Sequence, residues 1–225
     1  MNHVIIGASV AGITAAARIK ELHPGDEVVI LSGEQVRPYG KMSLPYILSG
    51  MTWFDNCVLP APPGVELRLG ATVDGLDTAS RTVHTTDGKV EGYDRLLIAT
   101  GTSPVIPDVA GSSLPSVVGI RTIGDIEVVR KRIASSSEKR VILSGAGLVN
   151  AEVGDALVKL GVPMTYVVSS NRVLSQIVDR DASSVIEQAL SGLGVELLKG
   201  EDIVEITERG DALDVRLASG KMLRG

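Results

Sequence analysis

The chain repeats itself. Gly64-Val65-Glu66-Leu67 recurs verbatim as Gly194-Val195-Glu196-Leu197, and Gly70 and Val73 match Gly200 and Ile203 at the same offset of 130 residues. Upstream, Val4-Ile5-Ile6-Gly7-Ala8-Ser9 resembles Val141-Ile142-Leu143-Ser144-Gly145-Ala146-Gly147. Downstream, Asp87-Gly88-Lys89 resembles Ser219-Gly220-Lys221 at offset 132. Four matched blocks in one order point to two copies of a single supersecondary unit.

Each copy reads alike. A short β-branched run comes first, His3 to Ile6 and then Arg140 to Leu143. A glycine turn follows, and after it a segment of good helix formers, Ala11 to Leu22 and then Leu148 to Leu160. Gly25-Asp26 and Gly161 are expected to stop those helices. A second apolar run, Glu27 to Leu31 and then Met164 to Val168, suits a parallel strand buried on both faces. Strand, crossover helix and strand make a βαβ unit, and two of them give an α/β fold.

Between the copies, Thr102 to Gly124 holds Pro104, Pro107 and Pro115, so it reads as a stiff connector. A charged helix from Asp125 to Ala134 is expected to open the second unit. The domains are expected at 1–106 and 107–225. In copy one the turn at Asp87-Gly88 leads to a strand ending in a glycine turn, Tyr93 to Gly101, whereas copy two reaches Gly225 where the matching strand is expected. The chain is therefore expected to be a truncated form of a longer protein.

Chemistry enters at the glycine turns. Copy one reads Gly7-Ala8-Ser9-Val10-Ala11-Gly12, a GxGxxG pattern with Ser at the middle glycine. The first glycine permits a tight turn, the small middle residue lets backbone approach a pyrophosphate, and the last lets helix pack on strand. Glu34 lies 22 residues beyond Gly12, where a carboxylate accepts from ribose hydroxyls. The alternative is a plain βα turn with a solvated Glu34. Copy two reads Gly145-Ala146-Gly147-Leu148-Val149-Asn150, with Asn at the third glycine, which puts close helix–strand packing in question there. Its second strand ends at Val168-Ser169-Ser170, without a carboxylate. Ser169, Ser170 and Arg172 fit a 2′-phosphate, a slight lean toward NADP(H); alternatively Arg172 caps a solvated loop.

Composition removes other classes. With 22 Lys+Arg against 27 Asp+Glu, a net charge of −5 and 3% aromatics, the chain lacks the basic, aromatic face of a nucleic-acid binder. One cysteine, Cys57, excludes an internal disulfide, a CxxC pair and a cysteine-based zinc site. His3, His23 and His84 form no metal-binding spacing, so no protein-ligated metal is expected. The apolar run from Val4 to Ala17 is shorter than the about 20 residues of a bilayer span and lacks a basic leader, so a cytoplasmic protein is expected. No convincing catalytic triad is present. Asp179 and Asp181 fit a helix start, His3 a structural position and His84 an exposed hairpin position.

Two glycine motifs in tandem, with Tyr93-Asp94-Arg95-Leu96-Leu97-Ile98-Ala99-Thr100-Gly101 between them, resemble the pyridine nucleotide-disulfide oxidoreductase superfamily. The resemblance implies two Rossmann-like βαβ dinucleotide-binding units in tandem, the second inserted in an incomplete first. It implies FAD on the first and NAD(P)H on the second. The segment Arg37-Pro38-Tyr39-Gly40-Lys41-Met42-Ser43-Leu44-Pro45-Tyr46 is similar to the PYxRxxL stretch of the rubredoxin, ferredoxin, nitrite-reductase and NADH-oxidase branch. By that likeness Lys41, where Arg is common, lies near the FAD phosphates or ribose, Glu34 holds the adenosine ribose and Val73 lies beside the adenine. Thr100 and Gly101 approach the FAD, and Glu152 lies near the nicotinamide carboxamide.

Thiol-dependent branches carry a CxxxxC pair or a cysteine shortly before a Leu-Pro-Tyr-like stretch, and this chain has Met42 and Ser43 there. Cys57 comes about a dozen residues later and reads as a packed residue. The expectation is a flavoprotein passing hydride from NAD(P)H to flavin, then electrons to a rubredoxin- or ferredoxin-type carrier or another acceptor without a redox-active cysteine. Two alternatives stand beside it: a non-catalytic dinucleotide-binding redox-sensor fragment, and a thiol-independent NADH oxidase. No membrane or nucleic-acid partner is expected. The resemblance implies a homodimer for the full-length protein, whose C-terminal part supplies the dimer interface.

Overall fold

The computed structural model describes residues 1–225, and its first apolar run forms strand β1 (Asn2–Ile6). Helix α1 (Val10–Leu22) and strand β2 (Glu27–Ser32) follow. The helix stops ahead of the glycine expected to end it. His23 is its C-cap with φ −135°, because the residue before Pro24 is driven out of the helical region. After β3 (Glu66–Leu69) come β4 (Val73–Asp77), β5 (Thr82–Thr85) and β6 (Val90–Gly92), an antiparallel meander, and then β7 (Arg95–Ile98). Strands β3, β2, β1 and β7 lie side by side in that order as one parallel sheet.

Side chains alternate faces along a strand. Ile5, Val28 and Ile30 therefore point one way and pack on Ile13 and Ala16 of α1. Val4, Val29 and Leu31 point the other way, onto Val83 of the meander with Val73, Tyr93 and Leu96 alongside. Both faces being covered is why β1 and β2 read as unbroken apolar runs. Each fully buried side chain of this kind contributes about 1.5–3 kcal/mol, so burial in the sheet outweighs helix propensity in holding the unit together.

The chain divides into two compact units, one of Met1–Ser43 with Trp53–Ser103, the other of Leu44–Thr52 with Pro104–Gly225. In the second unit, α2 (Leu44–Ser49) packs against α3 (Ile123–Ser135) and α4 (Leu148–Lys159). The Arg130 guanidinium of α3 donates to the carbonyls of Ile47 and Leu48. The helix expected from Asp125 starts earlier, because Thr122 and Asp125 form a reciprocal capping box.

The second copy runs β8 (Val141–Ser144), α4, β9 (Met164–Val168), α5 (Arg180–Gly192) and β10 (Glu196–Lys199), with β10, β9 and β8 parallel in that order. A meander of β11 (Ile203–Arg209), β12 (Ala212–Leu217) and β13 (Met222–Arg224) follows. The repeat holds down to single bonds. Gly88 N donates to Thr85 O at 2.8 Å and Gly220 N to Leu217 O at 2.9 Å, both glycines at positive φ in the matching hairpin turns. The connector is more than a spacer: Val109, Leu114 and Val117 pack on the Val167, Ile206 and Leu217 core. No helix is long and apolar enough to cross a membrane.

Asn150 has a physical answer. In the first unit a Cβ at Gly12 would run into the Gly7 carbonyl. Asn150, its counterpart, instead donates through Nδ2 to the Gly145 carbonyl at 2.8 Å and to that of Ser144 at 2.7 Å. Close helix–strand approach passes to Gly154, where a Cβ would lie 3.0 Å from Tyr166 Cζ and closer still to its hydroxyl. Tyr166 is 1% exposed and donates to Asn150 O at 2.7 Å; burial, with Asp155 nearby, pushes its phenol up to about 12. Gly154→Ala gains about 1 kcal/mol of helix propensity but overpacks a buried ring at about 1–3 kcal/mol and strains a bond of about 1 kcal/mol. The expected outcome in urea denaturation is a net loss of about 1–3 kcal/mol, smaller when Tyr166→Phe removes the hydroxyl first. An equal loss in both backgrounds would count against the ring contact.

Candidate functional site

In the first unit the turn Gly7-Ala8-Ser9-Val10-Ala11-Gly12 joins β1 to α1, and Gly7 N donates to Leu31 O of β2 at 2.8 Å. Gly7 has φ +112°, and a Cβ there would lie 2.7 Å from the Ala99 carbonyl carbon and 3.3 Å from Thr100 N. The turn is thus pressed against the end of β7, which brings Gly7 and Thr100 together. Ser9 is the N-cap of α1, but its hydroxyl donates to Tyr39 O at 2.9 Å and does not cap the helix. Ala8 is buried, while Ala11, Thr100 and Gly101 are exposed.

Glu34, just beyond β2, meets Lys41. Lys41 Nζ donates to Glu34 Oε1 at 2.6 Å and the Tyr39 hydroxyl to Oε2 at 2.8 Å. A carboxylate has about four acceptor positions, so two donors hold it in place and leave others for a diol. Lys41 also sits 5.8 Å from the centre of the Tyr39 ring. Val73, at the start of β4, is half-buried against the core face of Val4 and Leu31. Tyr39 was given no role from sequence; its place in the Arg37–Tyr46 stretch, two residues before Lys41, was the available signal.

The second turn repeats the geometry. Gly145 N donates to Val167 O of β9 at 2.7 Å. Gly147 is the N-cap of α4, without a side-chain cap, and a Cβ added there would meet nothing within 4 Å. Leu148 and Val149 are both exposed. By contrast, Thr122 caps α3 and Asp179 caps α5 through Ala182 N at 2.9 Å. The helix that each glycine turn opens has no side-chain cap, so no side chain occupies its first N–H groups.

Glu152, in the second turn of α4, lines a cleft of about 250 Å³ with Ala151, Asp155, Pro45, Tyr46 and Ser49, all in the second unit. The loop after β9 is tied to the glycine turn, because Leu174 N donates to Ala146 O at 2.9 Å. Arg172 in that loop donates to the carbonyls of Ser175 and Val178 and to Ser183 Oγ, at 3.2 Å for the last. Ser169 donates to Asp202, a carboxylate that sequence spacing gave no reason to place there. Cys57 is half-buried, its Sγ 3.5 Å from Trp53 O.

The fold and these two turns define a protein with a duplicated dinucleotide-binding architecture. The whole chain, residues 1–225, matches the family described as pyridine nucleotide-disulphide oxidoreductase, and it belongs to that family. It is 26% identical to an NADH oxidase of Methanocaldococcus jannaschii, over 99% of this chain and 52% of that protein. It is likewise 26% identical to a rubredoxin-NAD(+) reductase of Ectopseudomonas oleovorans, over 100% of this chain and 60% of the relative. Among solved structures, an NAD-dependent persulfide reductase from A. fulgidus superimposes with a TM-score of 0.92 at 23% identity, covering 100% of this chain and 44% of that one. The chain spans about half the length of the curated relatives it matches.

Proposed function

We propose that the chain is the dinucleotide-binding part of an NAD(P)H-dependent flavoprotein oxidoreductase, with FAD on the first unit and NAD(P)H on the second. The observation that carries this is the doubled turn: the same main-chain bond to the second strand, followed each time by a helix N-terminus free of any side-chain cap. The residues fit the groups, since at Gly147 the backbone lies open where a Cβ would otherwise stand. When bound, FAD accepts a hydride from reduced nicotinamide and releases the electron pair to an acceptor.

The chain's own part is to bind and align. Backbone N–H groups at the N-termini of α1 and α4 meet pyrophosphate. Glu34, held by Tyr39 and Lys41, accepts from the FAD ribose, and Val73 lies beside the adenine. Ser9, Thr100 and Gly101 let backbone approach the flavin nucleotide. Gly145, Gly147, Leu148 and Val149 form the NAD(P)H turn, Glu152 orients the carboxamide, and Ser169 and Arg172 border the ribose. Electrons leave without a protein thiol, since Cys57 is the only cysteine and Met42 and Ser43 stand where thiol-dependent relatives place theirs. A carrier of rubredoxin or ferredoxin type is the proposed acceptor, in keeping with the name of the rubredoxin-NAD(+) reductase relative.

The test is the visible spectrum of the chain reconstituted with FAD under anaerobic conditions, before and after NADH and NADPH. Flavin bands that bleach on adding reduced nicotinamide are expected, with reoxidation by added carrier faster than by oxygen. Failure to retain FAD, or retained flavin that neither nucleotide reduces, would remove the reading for this chain. Reoxidation by oxygen as fast as by carrier would favour an oxidase.

A further inference from the structure

The internal repeat permits a residue-by-residue comparison of the two ribose ends. In the first unit Gly70 N donates to Glu34 O at 3.0 Å and Thr86 N to Thr72 O at 2.9 Å. In the second, Gly200 N donates to Ser170 O at 3.3 Å and Ala218 N to Asp202 O at 2.9 Å. Ser170 therefore occupies the place of Glu34, and Asp202 the place of Thr72. A Cβ at Gly33 would lie 3.2 Å from Thr72 Oγ1, and the equivalent Ser169 hydroxyl donates to Asp202 Oδ1. The end of β9 carries no acid, and a carboxylate reaches it instead from the turn after β10, the strand paired with it.

We propose that Asp202 is the ribose carboxylate of the second unit and selects the dinucleotide with a free 2′-hydroxyl, NADH over NADPH. This rests on the reading that the second unit binds a dinucleotide. A carboxylate at this position accepts from a 2′-hydroxyl, whereas a 2′-phosphate, carrying about −1.5 to −2 charges at neutral pH, is repelled by it. The cations flanking the rim in sequence are committed elsewhere. Arg172 is held by two carbonyls and the Ser183 hydroxyl, and Lys199 by Glu187 at 2.7 Å. The support that sequence lent to a 2′-phosphate through Arg172 is thereby removed, and the guanidinium orders the loop that borders the glycine turn.

The experiment is titration of the chain with ADP-ribose and with 2′-phospho-ADP-ribose, ligands that need no flavin for their readout. The unaltered chain is expected to bind ADP-ribose at least tenfold more tightly. Asp202→Thr, which places the first unit's residue at this point, is expected to cut that ratio at least tenfold without moving the unfolding midpoint. Ser170→Glu added to Asp202→Thr is expected to restore the preference, since it rebuilds the first unit's arrangement. Arg172→Ala is expected to weaken both ligands alike. A preference for the phosphorylated ligand, or an unchanged ratio in Asp202→Thr, would overturn the assignment. Absence of binding for both ligands would overturn the dinucleotide reading itself, and this inference with it.

Discussion

Gly7→Val is expected to abolish retention of FAD and to lower the stability of the first unit, while ADP-ribose still binds the second. The backbone at Gly7 has φ +112°, where a residue with a side chain costs about 1–3 kcal/mol. The Cβ would also drive into the main chain at Ala99, which cannot swing aside as a flexible side chain could. Ala99 N is bonded to Ile6 O at 2.8 Å, so moving it strains the pairing of β1 with β7. Overpacking of that kind adds about 1–3 kcal/mol, and the sum is a large share of a marginally stable fold. Flavin content after reconstitution and a denaturant titration followed in parallel check this. Wild-type flavin content in the variant would sink the role given to this turn.

Gly147→Val is expected to behave differently, although the two glycines belong to matching motifs. Its φ is −82°, open to any residue, and nothing lies within 4 Å of the added Cβ. The fold should therefore tolerate the change to within about 0.5 kcal/mol, as exposed sites usually do. Binding of NADH and NADPH should fall by two orders of magnitude or more, about 2.7 kcal/mol, because the side chain fills the space where backbone N–H groups would meet the pyrophosphate. Equilibrium titration beside a melting curve separates the two effects. Wild-type affinity with an intact fold would mean that no phosphate approaches this turn.

The contrast between these glycines marks how far the sequence could be read. Repeat spacing told that both are turn glycines opening helices, and the observed β1, α1, β2 and β8, α4, β9 lie where the patterns put them. Nothing in the sequence told that Gly7 is jammed against β7 while Gly147 faces open space, since that depends on which distant backbone passes by. Asn150 looked like a weakened helix–strand contact. Its amide instead bonds the turn that a Cβ at Gly12 would hit, and Gly154 takes over the close approach one helical turn later. A glycine four residues after a substituted glycine was the available signal.

The candidate site divides the same way. Glu34 was legible because its distance from Gly12 is set by one helix and one strand, and local geometry carries over from spacing. Its donors Tyr39 and Lys41 follow from a loop that doubles back, which spacing constrains poorly. Asp202 was invisible because it comes from the turn after another strand, brought beside Ser169 by the β9–β10 pairing.

By itself the amino-acid sequence determined the duplication, the βαβ order, the two glycine turns and the absence of a second cysteine, because these are matters of short-range pattern and composition. Only the tertiary structure decided which glycines are sterically locked, where the Arg172 guanidinium is spent, that Leu44–Thr52 packs with the second unit, and that Asp202 meets Ser169. Those outcomes depend on contacts between residues far apart in the chain, set by hydrogen bonding between parallel strands and by burial on both faces of a sheet.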